Sequence, residues 1–175
     1  MTDGVADGPR WLDERELACW VPVVRLVHLL PQALDVQLRT DAGISHLYYQ
    51  LLAVLSDATD RQMRLSELAS NTGMSLSRLS RALDSLEGRG WVSRRADPDV
   101  RGVLACITDA GLEVLTEMAP SHVDEVRRLV LDRLTPAELE QLGSLAAKIV
   151  DGLDPHAGRR PSRRRPGAAG PDEGR

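Results

Sequence analysis

The sequence has no phenylalanine, two cysteines and a single lysine, Lys148. Without phenylalanine, a core must be built from aliphatic side chains. Cys19 and Cys106 supply neither a disulfide framework nor zinc-ligand spacing. No run of apolar residues reaches the roughly 18 that a membrane span needs. Met1 to Arg10 is acidic and glycine-bearing, unlike a secretion signal. A cytoplasmic protein with no membrane partner is therefore expected. No nucleophile–base set, phosphate loop or metal cluster is visible, so an enzyme has no residues to rest on and no cofactor is implied.

A length of 175 residues supports one domain with a sizeable core, or two small lobes. The formal net charge of −4 argues against a nucleic-acid partner until it is divided along the chain. Residues 61–101 hold eight arginines against five acidic residues, a net +3, and residues 156–175 hold six arginines against two, a net +4. Everything else carries the negative balance. DNA affinity follows local positive charge facing phosphates, so an acidic total does not exclude it.

The basic stretch from Leu65 to Thr108 is also the most patterned. Leu76, Leu79, Leu83 and Leu86 recur at helical spacing and share one face. Ser77, Arg81 and Asp84 point the other way, with Arg78 and Ser85 on the flank. Leu65-Ser66-Glu67-Leu68-Ala69 reads as a preceding short helix, and Gly73 permits the turn between the two. After Gly88-Arg89-Gly90, Trp91 to Arg95 and Val103 to Ile107 read as two strands joined by a polar loop. A hairpin directly after such a helix is a wing.

On either side lie helices. Asp13 with Glu16 reads as a capping pair opening the first. That helix has one apolar stripe through Leu17, Trp20, Val21, Val24, Val27 and His28. A second runs through Leu12, Cys19, Val23, Leu26 and Leu30. Two stripes need two partners, the chain's own core and a second subunit. Pro22 and Pro31 should kink or break it. Ile44 to Leu55 is the next helix, and Ser56 to Arg64 a polar connector. Thr108 caps a long helix with the stripe Leu112, Leu115, Ala119, Val123, Val126 and Val130, bent at Pro120. Thr135-Pro136-Ala137-Glu138 opens a last helix striped by Leu139, Leu142, Leu145, Ile149 and Leu153. From Asp154 on there is almost nothing to bury, and residues 156–175 read as a disordered arginine-rich tail.

Several of these motifs stand in the order and spacing of one family. Leu65 to Ala69, Ser77-Arg78-Leu79-Ser80, Leu86-Glu87, Gly90-Trp91-Val92, the pair Asp99 and Arg101, and Ile107-Thr108-Asp109-Ala110-Gly111 resemble the MarR-family transcriptional regulators. The resemblance extends more weakly from about Trp11 to Val150. It implies a mainly α fold with a small β-wing. The winged helix-turn-helix would span about 44–108 and the dimerisation helices about 11–40 and 109–153, within a domain of 11–155 after a disordered 1–10. It implies a homodimer acting as a ligand-responsive repressor on double-stranded DNA at a near-palindromic operator. The alternatives are a winged-helix interaction module that does not read DNA, and a cysteine-based redox regulator.

Candidate DNA contacts follow from the chemistry. Ser75 and Ser77, at the helix N-terminus, offer hydroxyls and backbone N–H groups to phosphate. Arg78 and Arg81 can reach base edges or phosphate. Arg94 and Arg95, on the wing strand, point to phosphate. Arg101, at the wing tip, suits a narrow minor groove, and Asp99 would hold it or the loop in place, as in the family's wing pair. A small aromatic effector is a further partner the resemblance implies. Trp20, His28 and Tyr48 are its candidate ligands, against the plainer reading of Trp20 and His28 as core residues. Cys19 has no neighbouring cation to activate its thiol, which favours a buried, inert cysteine over a sensing one.

Overall fold

The computed structural model describes residues 9–98 and 101–153. Asp99, residues 1–8 and the arginine-rich tail therefore lie outside the described residues. The chain opens with helix α1, Glu14–Ala42. Asp13 caps it as its spacing predicts. The Asp13 carboxylate accepts the Glu16 N–H at 2.8 Å, and Glu16 accepts the Asp13 N–H at 3.0 Å. The helix ends at Gly43, whose φ of 66° lets its N–H turn back to the last carbonyls.

Pro22 and Pro31 do not break α1, contrary to expectation. Each removes a single donor, and the turns on either side keep their own bonds. A second correction concerns its composition. An 18-residue window of α1 is apolar enough, and the helix long enough, to cross a membrane. Arg25 and His28 interrupt every visible run, while the leucines and valines around them dominate the average. Only Leu34 and Leu38 of α1 are buried, so the N-terminal half finds no core within its own chain.

Ser45 caps α2, His46–Asp57, which contributes the fully buried Leu51, Leu52 and Leu55. The expected polar connector then proves structured. A single 3₁₀ turn, Thr59–Arg61, leads into strand β1, Gln62–Arg64. Three residues with one apolar side chain, Met63, give no alternation to read. Helices α3, Leu65–Thr72, and α4, Leu76–Gly88, follow. Strands β2, Val92–Ala96, and β3, Val103–Ile107, form the hairpin. The sheet is antiparallel in the order β1-β3-β2, with Arg64 opposite Leu104 and Arg94 opposite Ala105.

The main core lies under these elements. Leu51, Leu52 and Leu55 of α2 meet Leu68 of α3, Leu79, Leu83 and Leu86 of α4, and Val92 and Ile107 of the hairpin. Leu76 does not join them. It is 58% exposed at the first position of α4, outside the core cluster. Ala82 is buried instead.

Helix α5, Asp109–Leu129, runs through Pro120 and packs on α1. Its buried face is Gly111, Met118 and His122, with Leu112 and Leu115 packed against the core. Val123, expected on the stripe, is half exposed. The small and polar residues at 111 and 122 hid the true face from an apolar pattern. Helix α6, Pro136–Leu153, opens with the expected Thr135–Glu138 capping pair and buries no residue within the chain.

Candidate nucleic-acid interface

The turn between α3 and α4 is made at Gly73, with φ of 65°, and its N–H returns to the Ala69 and Ser70 carbonyls. Ser75 then caps α4, accepting the Arg78 N–H and exchanging a bond with the Ser77 hydroxyl at 3.2 Å. The inward residues Leu79, Ala82, Leu83 and Leu86 are 0–4% exposed. This anchorage leaves Ser77, Arg78, Arg81, Asp84 and Ser85 on the open face. Among the described residues, neither Arg78 nor Arg81 enters an ion pair with another side chain.

Arg94 is different. Its Nε and Nη2 donate to Glu87 at 3.0 and 2.6 Å, its Nη2 also reaches Asp84 at 2.6 Å, and its backbone N–H donates to Glu87 at 2.9 Å. The Arg94 side chain, with its backbone bond assisting, holds the Glu87 carboxyl below the ordinary carboxylate range. The phosphate contact expected of Arg94 thus competes with two carboxylates already in place. Arg95, on the outer side of the same strand, donates to Gln62 on β1 and remains exposed.

The loop end of the wing is tied down by an ion pair not expected from the sequence. Arg64 of β1 meets Asp97 at 2.6 Å and Glu67 of α3 at 3.7 Å, and only 3% of the Asp97 side chain is exposed. The Asp97 N–H donates to Gly102 across the loop at 3.1 Å. Arg101 stands exposed at this loop. Nothing in the spacing singles out Arg64–Asp97, since the partners are 33 residues apart and β1 was not visible. Arg89 lies over the Trp91 ring at 4.9 Å and the Tyr48 ring at 6.0 Å.

The candidate effector ligands are not brought together. Trp20 is 54% exposed on the N-terminal half of α1. His28 is exposed on the same helix, its Nδ1 donating to the Val24 carbonyl at 2.7 Å. Tyr48 is half-buried between the two core clusters. A cleft does exist between α1, α2 and the start of α4. It is lined by Asp35, His46, Gln50, Thr72, Met74 and Arg78 among others, and by none of those three. Cys19, expected to be buried, is exposed in the single chain.

Behind the cleft, His122 is buried beside Tyr49, with ring centroids 4.1 Å apart, and donates from Nδ1 to Gln37 at 3.1 Å. His46 lies 5.8 Å from it. Burial pushes the pKa of both imidazoles below the ordinary value; nearby His46 lowers that of His122 further, against the pull of Glu125.

A leucine-anchored helix with an open serine–arginine face, following a short helix and a glycine turn and braced by a hairpin, defines a winged helix-turn-helix protein. A profile of the MarR family matches residues 42–101. Two solved MarR-family transcriptional regulators from Streptomyces coelicolor are similar over nearly their whole length. Sco3205, whose structure is a complex with DNA, is 43% identical with a TM-score of 0.78, covering 89% of this chain and 94% of that one. AbsC is 34% identical with a TM-score of 0.76, covering 83% and 98%. The transcriptional repressor MprA of Escherichia coli is 31% identical over 113 residues, and the chain spans 64% of that relative's length. The chain belongs to the MarR family of transcriptional regulators, which are not enzymes.

Proposed function

We propose that the protein is a sequence-specific DNA-binding regulator that works as a homodimer, with a repressor's action on transcription. The observation that carries this is the open face of α4. Ser77, Arg78 and Arg81 project from a helix whose other side is buried from Leu79 to Leu86, and the two arginines keep their charge unspent. In this reading α4 enters a major groove, the Ser75 end faces phosphate, and Arg101 enters the adjoining minor groove. Asp99 is its proposed companion. Arg95 is a phosphate contact once it leaves Gln62. The 156–175 tail adds non-specific attraction.

The second copy covers α1 and α6. Trp20, Val21, Val27 and Leu29 of α1 are exposed, as are Leu145, Ile149 and Leu153 of α6. Another copy of this chain suits α1 better than lipid does, because its other end is committed through Leu34 and Leu38 to the core beside α2. The effector site is the cleft reaching from Asp35 and His46 to Arg78. A small molecule there would touch both α1 and the reading helix, so its binding could shift one against the other. Mapping the DNA protected upstream of the protein's own gene, then titrating it with and without aromatic acids, tests the reading. Half-sites about 10 base pairs apart are expected. No selective protection anywhere would favour an interaction module.

A further inference from the structure

We propose that Arg94 is not a DNA contact but the pin of a brace, Asp84–Arg94–Glu87, that fixes the wing to the reading helix and so sets the spacing between major-groove and minor-groove contacts. The proposal rests on the DNA-reading function above and adds positioning residues to it. Arg94 lies on the third of the five rungs joining β2 to β3, so whatever holds it orients the whole hairpin. Its guanidinium and its own backbone N–H make four bonds to two carboxylates on α4, between 2.6 and 3.0 Å. A forked, planar cation suits this double engagement as a lysine would not.

The charge balance at the pin is one cation against two anions. A phosphate approaching Arg94 therefore meets a locally negative surface, whereas Arg78 and Arg81 offer it net positive charge. The brace also accounts for Asp84, an acid on the face that meets DNA. Left alone, its carboxylate would repel phosphate. Held at 2.6 Å from Arg94, its charge is partly offset and turned towards the wing. The other end of the hairpin is fixed separately, through Arg64 to Asp97 and to Glu67 of α3. Both helices of the reading head are thereby tied to the wing, and Arg101 is carried on a rigid arm.

The test compares Arg94→Gln, Arg94→Lys and Glu87→Gln with the parent protein. Each is titrated against the protected operator, against versions with A·T-rich or G·C-rich flanks, and against single-base changes under α4, at several salt concentrations. The brace predicts that Arg94→Gln and Glu87→Gln behave alike. Both should lose most of the preference for A·T flanks, at least threefold, while keeping the base preferences under α4 and the parent's salt slope. Arg94→Lys, with one ammonium in place of the fork, should fall between. A phosphate contact predicts otherwise. Arg94→Gln would then lower the salt slope by about one and weaken all sequences equally, and Glu87→Gln would tighten binding by releasing the cation. Either result overturns the proposal, as does a lowered melting temperature with flank preference intact. If Arg94→Gln does not fold, Arg94→Lys and Glu87→Gln carry the same comparison. A parent protein that selects no sequence overturns the DNA-reading function itself, and shows it before any variant is made.

Discussion

Gly111, in the first turn of α5, lies so close to Trp91 that a β-carbon on it would stand 2.2 Å from the Trp91 carbonyl oxygen and 2.9 Å from Ile107 Cγ1. The obstacle is backbone, and that carbonyl is already pinned by the Thr108 N–H at 3.0 Å. Thr108 fixes the joint from the other side, accepting the Gly111 N–H at 3.1 Å and donating to the Gly90 carbonyl at 2.7 Å. The end of the wing and the start of α5 are thus locked at van der Waals distance. Gly111→Ala would force them apart and should cost about 2–3 kcal/mol, despite alanine's better helix propensity. Denaturant unfolding of the variant checks this; an unchanged or raised midpoint would show that the joint yields freely.

This joint shows what the sequence could and could not disclose. Ile107 to Gly111 stood out as a motif, and Thr108 as a cap, because caps and leucine spacing are local. The reason for glycine was a contact with Trp91, twenty residues away, which no periodicity encodes. The same division holds elsewhere. The Asp13 and Thr135 caps, the leucines at 79, 83 and 86, and the open arginines at 78 and 81 were readable, since each depends on a few neighbours along one helix. Strand β1, the Arg64–Asp97 pair and the buried His122 were not, because a three-residue strand has no period and a polar residue on a core face looks like an exposed one. Arg94 was legible as a basic residue of the wing. Its engagement by Asp84 and Glu87 depended on how the hairpin folds back over α4.

The buried histidines give stability a defined dependence on pH. His122 on α5 is faced by Gln37 of α1, by His46 and Tyr49 of α2, and by Glu125 on its own helix, while Asp35 of α1 faces His46. Desolvation depresses the pKa of both His122 and His46 below the ordinary 6.5. A depressed histidine binds its proton more readily in the unfolded chain, so acid favours unfolding. The contribution is fully present above pH 7 and is lost as pH falls through 6.5 towards the folded values. The depressed carboxylates of Asp35, Glu87 and Glu125 act only lower, as pH falls through about 4. The denaturation midpoint should therefore fall between pH 7 and 5, and fall less in His122→Gln. A flat profile in the parent protein over that range would contradict this account.

Dimerisation through α1 and α6 predicts that sedimentation at micromolar concentration gives twice the chain mass. A Leu145→Glu, Ile149→Glu double variant should sediment as a monomer while remaining folded, because both side chains are more than half exposed in the single chain. It should also lose most operator affinity, since one reading head contacts only half of the site. A variant that still sediments at twice the mass would remove α6 from the interface.

In the proposed reading, Arg81 and Arg101 separate the two kinds of groove recognition. Arg81 projects from the middle of α4, opposite the buried Leu79, Leu83 and Leu86, where a guanidinium can meet guanine with two parallel bonds. Arg81→Ala should cost about 1–3 kcal/mol on the operator and relax preference at one position per half-site. Arg101 belongs to the wing tip, where a narrow minor groove offers potential rather than a base code. Arg101→Ala should weaken binding with little change in base preference beyond A·T content, and should lower the salt slope. Both side chains are exposed, so neither substitution should move the melting temperature appreciably. Titrations of both variants against the operator and its single-base versions, at two salt concentrations, distinguish the roles. If Arg81→Ala bound every sequence as well as the parent protein does, α4 would not be the reader, whatever its resemblance to one.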